Sequence, residues 1–421
     1  MHDFHYRDNQ LMCEGLTVQE IAQEVGTPFY LYSHNTLRRH FRVFDDAFAR
    51  VPHLTCFAMK ANSNLAILRL FITEGGGVDI VSGGELYRAL QAGADPAKVV
   101  YSGVGKRMDE IEYALATGIL LFNVESLQEL EVINSCAGRM KVKAGIALRV
   151  NPDVDPETHP YISTGMKENK FGIDVEEALA AYEQARAMKN LDVKGVSCHI
   201  GSQLTKITPF IDALERLKCL IRRLEASGTH IRYLDLGGGL GIRYDEEEPP
   251  HPESYARAIM EASQDLPCTF IFEPGRVIVG NAAALVTSVL YTKGSAAKNF
   301  VVVDAGMNDL MRPSLYRSYH RIQPVDDNGG AGQEMVADVV GPICESGDYL
   351  AKERRLPRFK RGDLMAVMSA GAYGFSMSSN YNSRPRVAEV MVRENSFHVI
   401  RERETYADLI RGEVIPMFLQ D

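Results

Sequence analysis

Several short stretches of this sequence bring together side chains that could do chemistry. Lys60, in Phe57-Ala-Met-Lys-Ala-Asn62, directly follows an apolar run. A buried amine can have its pKa lowered and attack a carbonyl to form a Schiff base; a surface lysine just past a strand would look the same. In Asp235-Leu-Gly-Gly-Gly-Leu-Gly241, the backbone N–H groups of Gly237, Gly238 and Gly239 could close around phosphate oxygens, or simply make a tight turn. The spacing is not GxGxxG, which disfavours a Rossmann dinucleotide site. His199, in Cys198-His-Ile-Gly-Ser-Gln203, is a candidate to stack on a ring or to fill the core, and Ser202 beside it could donate to a phosphate. Glu273 and Arg276 stand in Phe272-Glu-Pro-Gly-Arg276. A carboxyl there could keep a pyridine nitrogen protonated, and the arginine fork could bind a carboxylate; the two could equally form an ion pair.

Further along, Gly341-Pro-Ile-Cys-Glu-Ser-Gly-Asp348 places a thiol and two acids in a loop. Arg312-Pro-Ser-Leu-Tyr316 and Ala370-Gly-Ala-Tyr-Gly374 add an arginine and the tyrosines Tyr316 and Tyr373. Taken singly, either tyrosine reads as packing.

The elements that must position these residues have a rhythm. Apolar or β-branched runs recur at Leu54–Ala58, Val78–Val81, Val99–Ser102, Leu120–Val124, Ala144–Val150, Val193–Ile200, Tyr233–Leu236 and Thr269–Phe272. Amphipathic stretches such as Glu85–Ala92, Val175–Met188 and Phe210–Ser227 lie between them. This is an α/β pattern with a parallel sheet, and eight units in this length suit a (β/α)8 barrel. A doubly wound open sheet has the same local periodicity. A barrel requires its chemistry at the C-terminal strand ends, which here carry Lys60, Ser82, Gly103, Asn123 with Glu125, Asn151, His199, Gly237–Gly239 and Glu273 with Arg276. After residue 280 the helical rhythm gives way to Val- and aromatic-rich runs separated by turn residues, which predicts a second, mostly β domain. Phe29–Tyr32 reads as a strand that precedes the barrel and joins that domain. The expected division is a barrel over 34–281 and a β domain from 1–33 plus 282–421.

Composition narrows the class. A net charge of −9 with no basic run argues against nucleic-acid and anionic-membrane partners. No apolar stretch has the length of a membrane span, and no signal peptide is visible. The cysteines, at 13, 56, 136, 198, 219, 268 and 344, are odd in number and show no CxxC spacing. This argues against zinc knuckles and a disulfide framework and for a reducing cytoplasm. With no HExxH motif, no metal site is expected.

A Schiff-base lysine, a phosphate-cradling glycine run and an acid for a ring nitrogen fit pyridoxal 5′-phosphate. Here the sequence resembles the fold-type III pyridoxal-phosphate decarboxylases, which join an alanine-racemase-like barrel to a C-terminal β domain. More narrowly it is similar to the bacterial meso-diaminopimelate decarboxylases. The resemblance runs from Pro28 to Tyr381 through Phe57–Asn62, Asp79–Glu85, His159–Gly172, His199–Ser202, Gly237–Gly241, Glu273–Arg276, Cys344–Asp348 and Ala372-Tyr373. It implies that Lys60 carries the cofactor, with Asp79 in the cofactor-binding set and His199 stacked on the ring. Gly237, Gly238, Gly239 and the backbone of Glu273, Pro274, Gly275 and Arg276 would hold the phosphate with help from Ser202, and Glu273 would pair with the ring nitrogen. Arg276, Arg312 and Tyr316 would bind the carboxylate that the substrate keeps, Glu345 its distal amine, and Tyr373 both cofactor and substrate. Cys344 would supply the proton. Cys344 and Glu345 would reach the active site of the other subunit of a homodimer. The implied reaction is decarboxylation of meso-2,6-diaminopimelate to L-lysine, the last step of lysine biosynthesis.

Decarboxylases of ornithine, arginine or carboxynorspermidine share the mechanism. Glu345 after the cysteine, where eukaryotic-type ornithine decarboxylases resemble Cys-Asp, favours diaminopimelate, and the set Arg276, Arg312 and Tyr316 suits a terminal carboxylate, which ornithine does not have. Glu273 favours a decarboxylase over the barrel racemases, which use an arginine there. A degenerate, non-catalytic relative would lack the lysine or the cysteine, and both are present. The 157–170 loop, with Lys167, Glu168 and Lys170, is expected to close over the substrate.

Overall fold

The computed structural model describes residues 2–155, 164, 170–295, 297–327 and 334–420. Chain contacts divide it into two units, Leu37–Gly280 and Met1–Thr36 with Asn281–Asp421.

In the first unit all eight apolar runs become strands: β1 (His53–Ala58), β2 (Gly77–Ile80), β3 (Val99–Tyr101), β4 (Leu121–Val124), β5 (Ala144–Asn151), β6 (Leu191–Ser197), β7 (Tyr233–Asp235) and β8 (Thr269–Phe272). Each pairs in parallel with the next. β8 then pairs with β1, with Phe270 opposite His53. The sheet is therefore a closed barrel, and the open-sheet alternative is set aside.

Its interior is solid. Cys56, Val100, Leu121, Ala147 and Ile271 form one buried cluster. They come from β1, β3, β4, β5 and β8, which can meet together only inside the ring. Neighbouring β8 residues face outward, where Phe272 stacks on Phe48 with ring centroids 3.9 Å apart. Full burial of such a side chain stabilises the fold by about 1.5–3 kcal/mol.

The helices begin where local sequence tells them to. Ser82 Oγ accepts the Glu85 N–H at the start of helix Gly83–Gln91, and Ser126 Oγ accepts the Glu129 N–H at the start of Leu127–Met140. In both, the glutamate reaches back to the N–H of the residue before the cap, Val81 or Glu125. Such caps satisfy donors that the first helical turn leaves open. Among the described residues no helix is long and apolar enough to cross a membrane.

The second unit is mostly β. Its central strand Phe29–Ser33 lies antiparallel to Ala283–Gly294 on one side and parallel to Ala388–Arg393 on the other. Phe29, Leu31, Ala284, Val286, Val390 and Val392 share its core. Strand Tyr349–Pro357 pairs with Glu334–Val340 but gave no signal in the sequence, because Lys352, Glu353, Arg354 and Arg355 mask its alternation. The N-terminal hairpin Phe4–Arg7 with Gln10–Cys13, and helix Val18–Val25, were likewise not foreseen.

Candidate active site

Lys60 stands in a short 3-10 turn, Met59–Ala61, at the end of β1. Its Nζ donates to Asp79 Oδ2 at 2.7 Å. Asp79 belongs to β2 and its side chain is wholly buried, whereas that of Lys60 keeps 32% exposure. The amine therefore reaches the barrel mouth while its counter-charge stays beneath. Asp79 Oδ1 is buried and has no hydrogen-bond partner among the described residues.

Beside this pair lies a polar layer from four strand ends. Asn123 of β4 directs its Nδ2 toward Asp235 Oδ2 at 2.8 Å, Ser102 Oγ at 3.0 Å and Glu273 Oε1 at 3.3 Å. Ser102, just past β3, donates to Glu273 Oε1 at 3.2 Å. Asp235 ends β7, Glu273 follows β8, and Asn123 Nδ2 bridges their carboxyl groups. Burial, reinforced by the charges of Asp235 and Asp79, holds Glu273 well above the usual carboxylate range. Burial also pushes Asp235 up to about 6. Two carboxyl groups this close cannot both ionise cheaply.

The glycine run is fixed by these same groups. Gly237 donates its N–H to Asp235 Oδ1 at 2.9 Å and accepts the Glu273 N–H at 2.7 Å. Gly237 has φ +65°, and a Cβ there would meet His199 Nδ1 at 2.6 Å. The Gly238 N–H donates to His199 Nδ1 at 3.2 Å, so Nε2 carries the proton of a neutral ring. Burial, then the charges of Arg149 and Lys60, holds the His199 pKa well below its ordinary value. Two of the three expected phosphate donors are thus occupied. The N–H groups of Gly239 and Gly275 donate to nothing among the described residues.

Arg276 is buried and gives Nη2 to Ser202 Oγ at 3.0 Å and Nη1 to the Tyr244 hydroxyl at 2.7 Å. No Glu273–Arg276 ion pair forms among the described residues, so that bland alternative fails. The reading of the sequence missed Asn123 as a bridge, Ser102, Asp235 as a partner of Glu273, and Tyr244. It also missed the buried pair Arg149–Glu125, 2.8 Å apart, whose Glu125 accepts the Gly172 N–H at 2.8 Å. Asn123, Glu125 and Asp235 do stand at strand ends, and that position was the available signal. The expected 157–170 loop lies outside the described residues except Thr164 and Lys170; Thr164 Oγ1 donates to the His199 carbonyl at 2.8 Å.

The other expected residues belong to the β unit. Cys344 and Glu345 are exposed in the Gly341–Asp348 loop, and the Cys344 N–H donates to Asn382 Oδ1 at 2.9 Å. Asp348, one of the two acids noted in the sequence, is a brace. It is buried and accepts N–H groups from Met307 and Ile343, each at 2.7 Å. Arg312 is buried with Nη1 2.8 Å from His320 Nε2, and His320 Nδ1 lies 2.9 Å from the Met368 carbonyl. Tyr316 closes the short helix Arg312–Tyr316. Tyr373 has φ +55°, a strained value for a bulky residue.

Comparison with known proteins shows which family the chain belongs to. Residues 34–280 match the family described as pyridoxal-dependent decarboxylase, pyridoxal binding domain. The chain is 54% identical to diaminopimelate decarboxylase of Pseudomonas aeruginosa over 413 residues, 98% of this chain and 99% of that one. The chain belongs to the diaminopimelate decarboxylase family. Solved structures of family members agree. Diaminopimelate decarboxylase from Helicobacter pylori complexed with L-lysine superposes with a TM-score of 0.90 at 45% identity, covering 94% of this chain and 98% of the other. The M. jannaschii enzyme in complex with L-lysine gives 0.94 at 39% identity, covering 99% and 98%.

Membership in this family makes the protein a pyridoxal-phosphate enzyme, and the barrel mouth fits that cofactor. It offers a part-exposed amine for an aldehyde, a buried carboxyl pair for a ring nitrogen and two uncommitted backbone N–H groups for a phosphate. The unsatisfied Asp79 oxygen marks a place for a further donor.

Proposed function

We propose that this protein decarboxylates meso-2,6-diaminopimelate to L-lysine and carbon dioxide, the last step of lysine biosynthesis. The single observation that carries the reading is the full-length identity to a diaminopimelate decarboxylase, in a chain whose Lys60, Asp79 and Glu273 meet the needs of the cofactor.

Bound pyridoxal 5′-phosphate supplies an aldehyde carbon for the substrate amine and a conjugated ring that takes up the electron pair left when carbon dioxide departs. The protein supplies position and protons. Lys60 would hold the cofactor, and Asp79 keeps its amine aimed at the mouth. Glu273 would pair with the ring nitrogen and strengthen the electron sink. His199, neutral and held by Gly238, would stack on the ring. Gly239 and Gly275 would give their N–H groups to the phosphate, with Gly237, Gly238, Ser202 and the backbone of Glu273, Pro274 and Arg276 completing its cradle. Arg276, Arg312 and Tyr316 bind the retained carboxylate, Glu345 the distal amine, and Tyr373 cofactor and substrate. The α-carbon loses its carboxylate and gains a proton from the Cys344 thiol.

The active form in this reading is a cytoplasmic homodimer in which each copy lends Cys344 and Glu345 to the other. The cofactor domain spans 34–281, and the β domain spans 1–33 with 282–421. The free state of all seven cysteines supports a reducing compartment. Steady-state rates of the holoenzyme with diaminopimelate, ornithine and lysine test the substrate. Preference for diaminopimelate is expected, and preference for ornithine would overturn the assignment.

A further inference from the structure

The polar layer beneath the barrel mouth contains more than Glu273 needs if it acts alone. An isolated buried carboxylate facing a pyridinium would suffice. Instead a second buried carboxyl, Asp235, lies beside Glu273, and one amide nitrogen, Asn123 Nδ2, spans both at 2.8 and 3.3 Å. Two buried carboxyl groups bridged by one donor are held far more cheaply with a proton on one of them than with both ionised. Asp235 is also tied by Oδ1 to the Gly237 N–H, so it cannot swing away.

We propose that Asp235 and Asn123 are positioning residues for Glu273: they hold its carboxyl in a pair that carries one proton in the cofactor-free barrel and passes that proton to the ring nitrogen as pyridoxal 5′-phosphate seats. The O–H bond of the pair breaks, an N–H bond to the ring forms, and no other bond changes. The surroundings favour this arrangement. Asp79 of β2 adds negative charge, and Lys60, hydrogen-bonded to Asp79, is the cation that acts on Glu273. Cys56 and Cys198 are buried within the reach of both charges and stay neutral thiols, their pKa values raised first by burial. Burial of Asp235 and Glu273 disfavours a second negative charge. Once the ring nitrogen is protonated, its positive charge compensates the doubly ionised pair. Asn123 keeps Glu273 Oε1 engaged, which orients the group.

The proposal rests on the reading of Glu273 as the partner of the ring nitrogen. It is tested on cofactor-free enzyme titrated with pyridoxal 5′-phosphate alone, by counting protons exchanged with solvent at pH 7. The wild type supplies the ring proton from within. Asp235→Asn removes the neighbouring negative charge that helps keep Glu273 protonated, so it should draw more of the ring proton from solvent than the wild type. Infrared spectra of the cofactor-free proteins give a second readout. A protonated-carboxyl band is expected in the wild type at pH 7, and the near-isosteric Glu273→Gln should lose from it the share of one carboxyl per site. Equal proton uptake by wild type and Asp235→Asn, or an unchanged band in Glu273→Gln, overturns the proposal while the cofactor assignment stands. If the wild type shows no visible absorbance with pyridoxal 5′-phosphate, the cofactor reading itself falls, and the proposal with it.

Discussion

Asp348 accepts the N–H of Ile343 at 2.7 Å, and this bond turns the Gly341–Asp348 loop so that the next residue, Cys344, is exposed. A Cβ on Gly341 would meet Asp348 Oδ2 at 2.5 Å, so the turn leaves no room for a side chain there. The proposed acid is thus presented by a buried carboxyl that does no chemistry itself. Asp348→Ala should strand the N–H groups of Met307 and Ile343, costing on the order of 2 kcal/mol. The expected result is a large loss of turnover with the bound cofactor's visible band intact, read by steady-state kinetics and absorbance.

Cys344→Ala should lower kcat by roughly 10²–10⁴-fold, the usual contribution of a positioned general acid. Cofactor affinity should not move. Turnover unchanged from wild type would remove Cys344 from the proton-donor role.

His320 supports Arg312 from behind, at 2.8 Å. His320→Leu removes the acceptor for Arg312 Nη1 and should raise KM for diaminopimelate more than it lowers kcat. A fall in kcat alone would argue that Arg312 does not bind the retained carboxylate.

Arg149→Ala leaves Glu125 buried without its ion-pair partner. Such losses cost about 3–5 kcal/mol. Denaturant unfolding should show this drop, and the double change Arg149→Met with Glu125→Gln should recover most of it.

Stability of the cofactor-free protein should depend on pH through the raised carboxyl groups. Asp235 is pushed up to about 6 and Asp309 to about 7, both chiefly by burial. Each binds its proton more tightly folded than unfolded. The stability this gives is fully present below the ordinary carboxylate pKa and is lost as pH rises through the folded values. Between pH 5 and 7.5 the wild type should therefore lose on the order of a few kcal/mol from these groups. Asp235→Asn should lose less over the same interval, as measured by urea unfolding at both pH values.

The eight barrel strands were legible because each is a short apolar run bounded by turn and helix signals, and that information is local. The same holds for Lys60 and Glu273, whose strand-end positions follow from the strands themselves. Other features depended on direction and distance. Nothing in the local pattern says that Phe270 lies beside His53, so barrel closure needed the tertiary structure. Nor does it say that Asn123, Asp235 and Glu273 share hydrogen bonds, because they come from β4, β7 and the end of β8 and meet only once the ring closes. Arg276 looked equally suited to Glu273 three residues away, yet its fork points to Ser202 and Tyr244. Residue type and spacing by themselves determined which groups are available for the chemistry. Only the closed barrel, by fixing where each side chain points and how little water reaches it, decided which of them share a proton, which carry charge and which serve as braces.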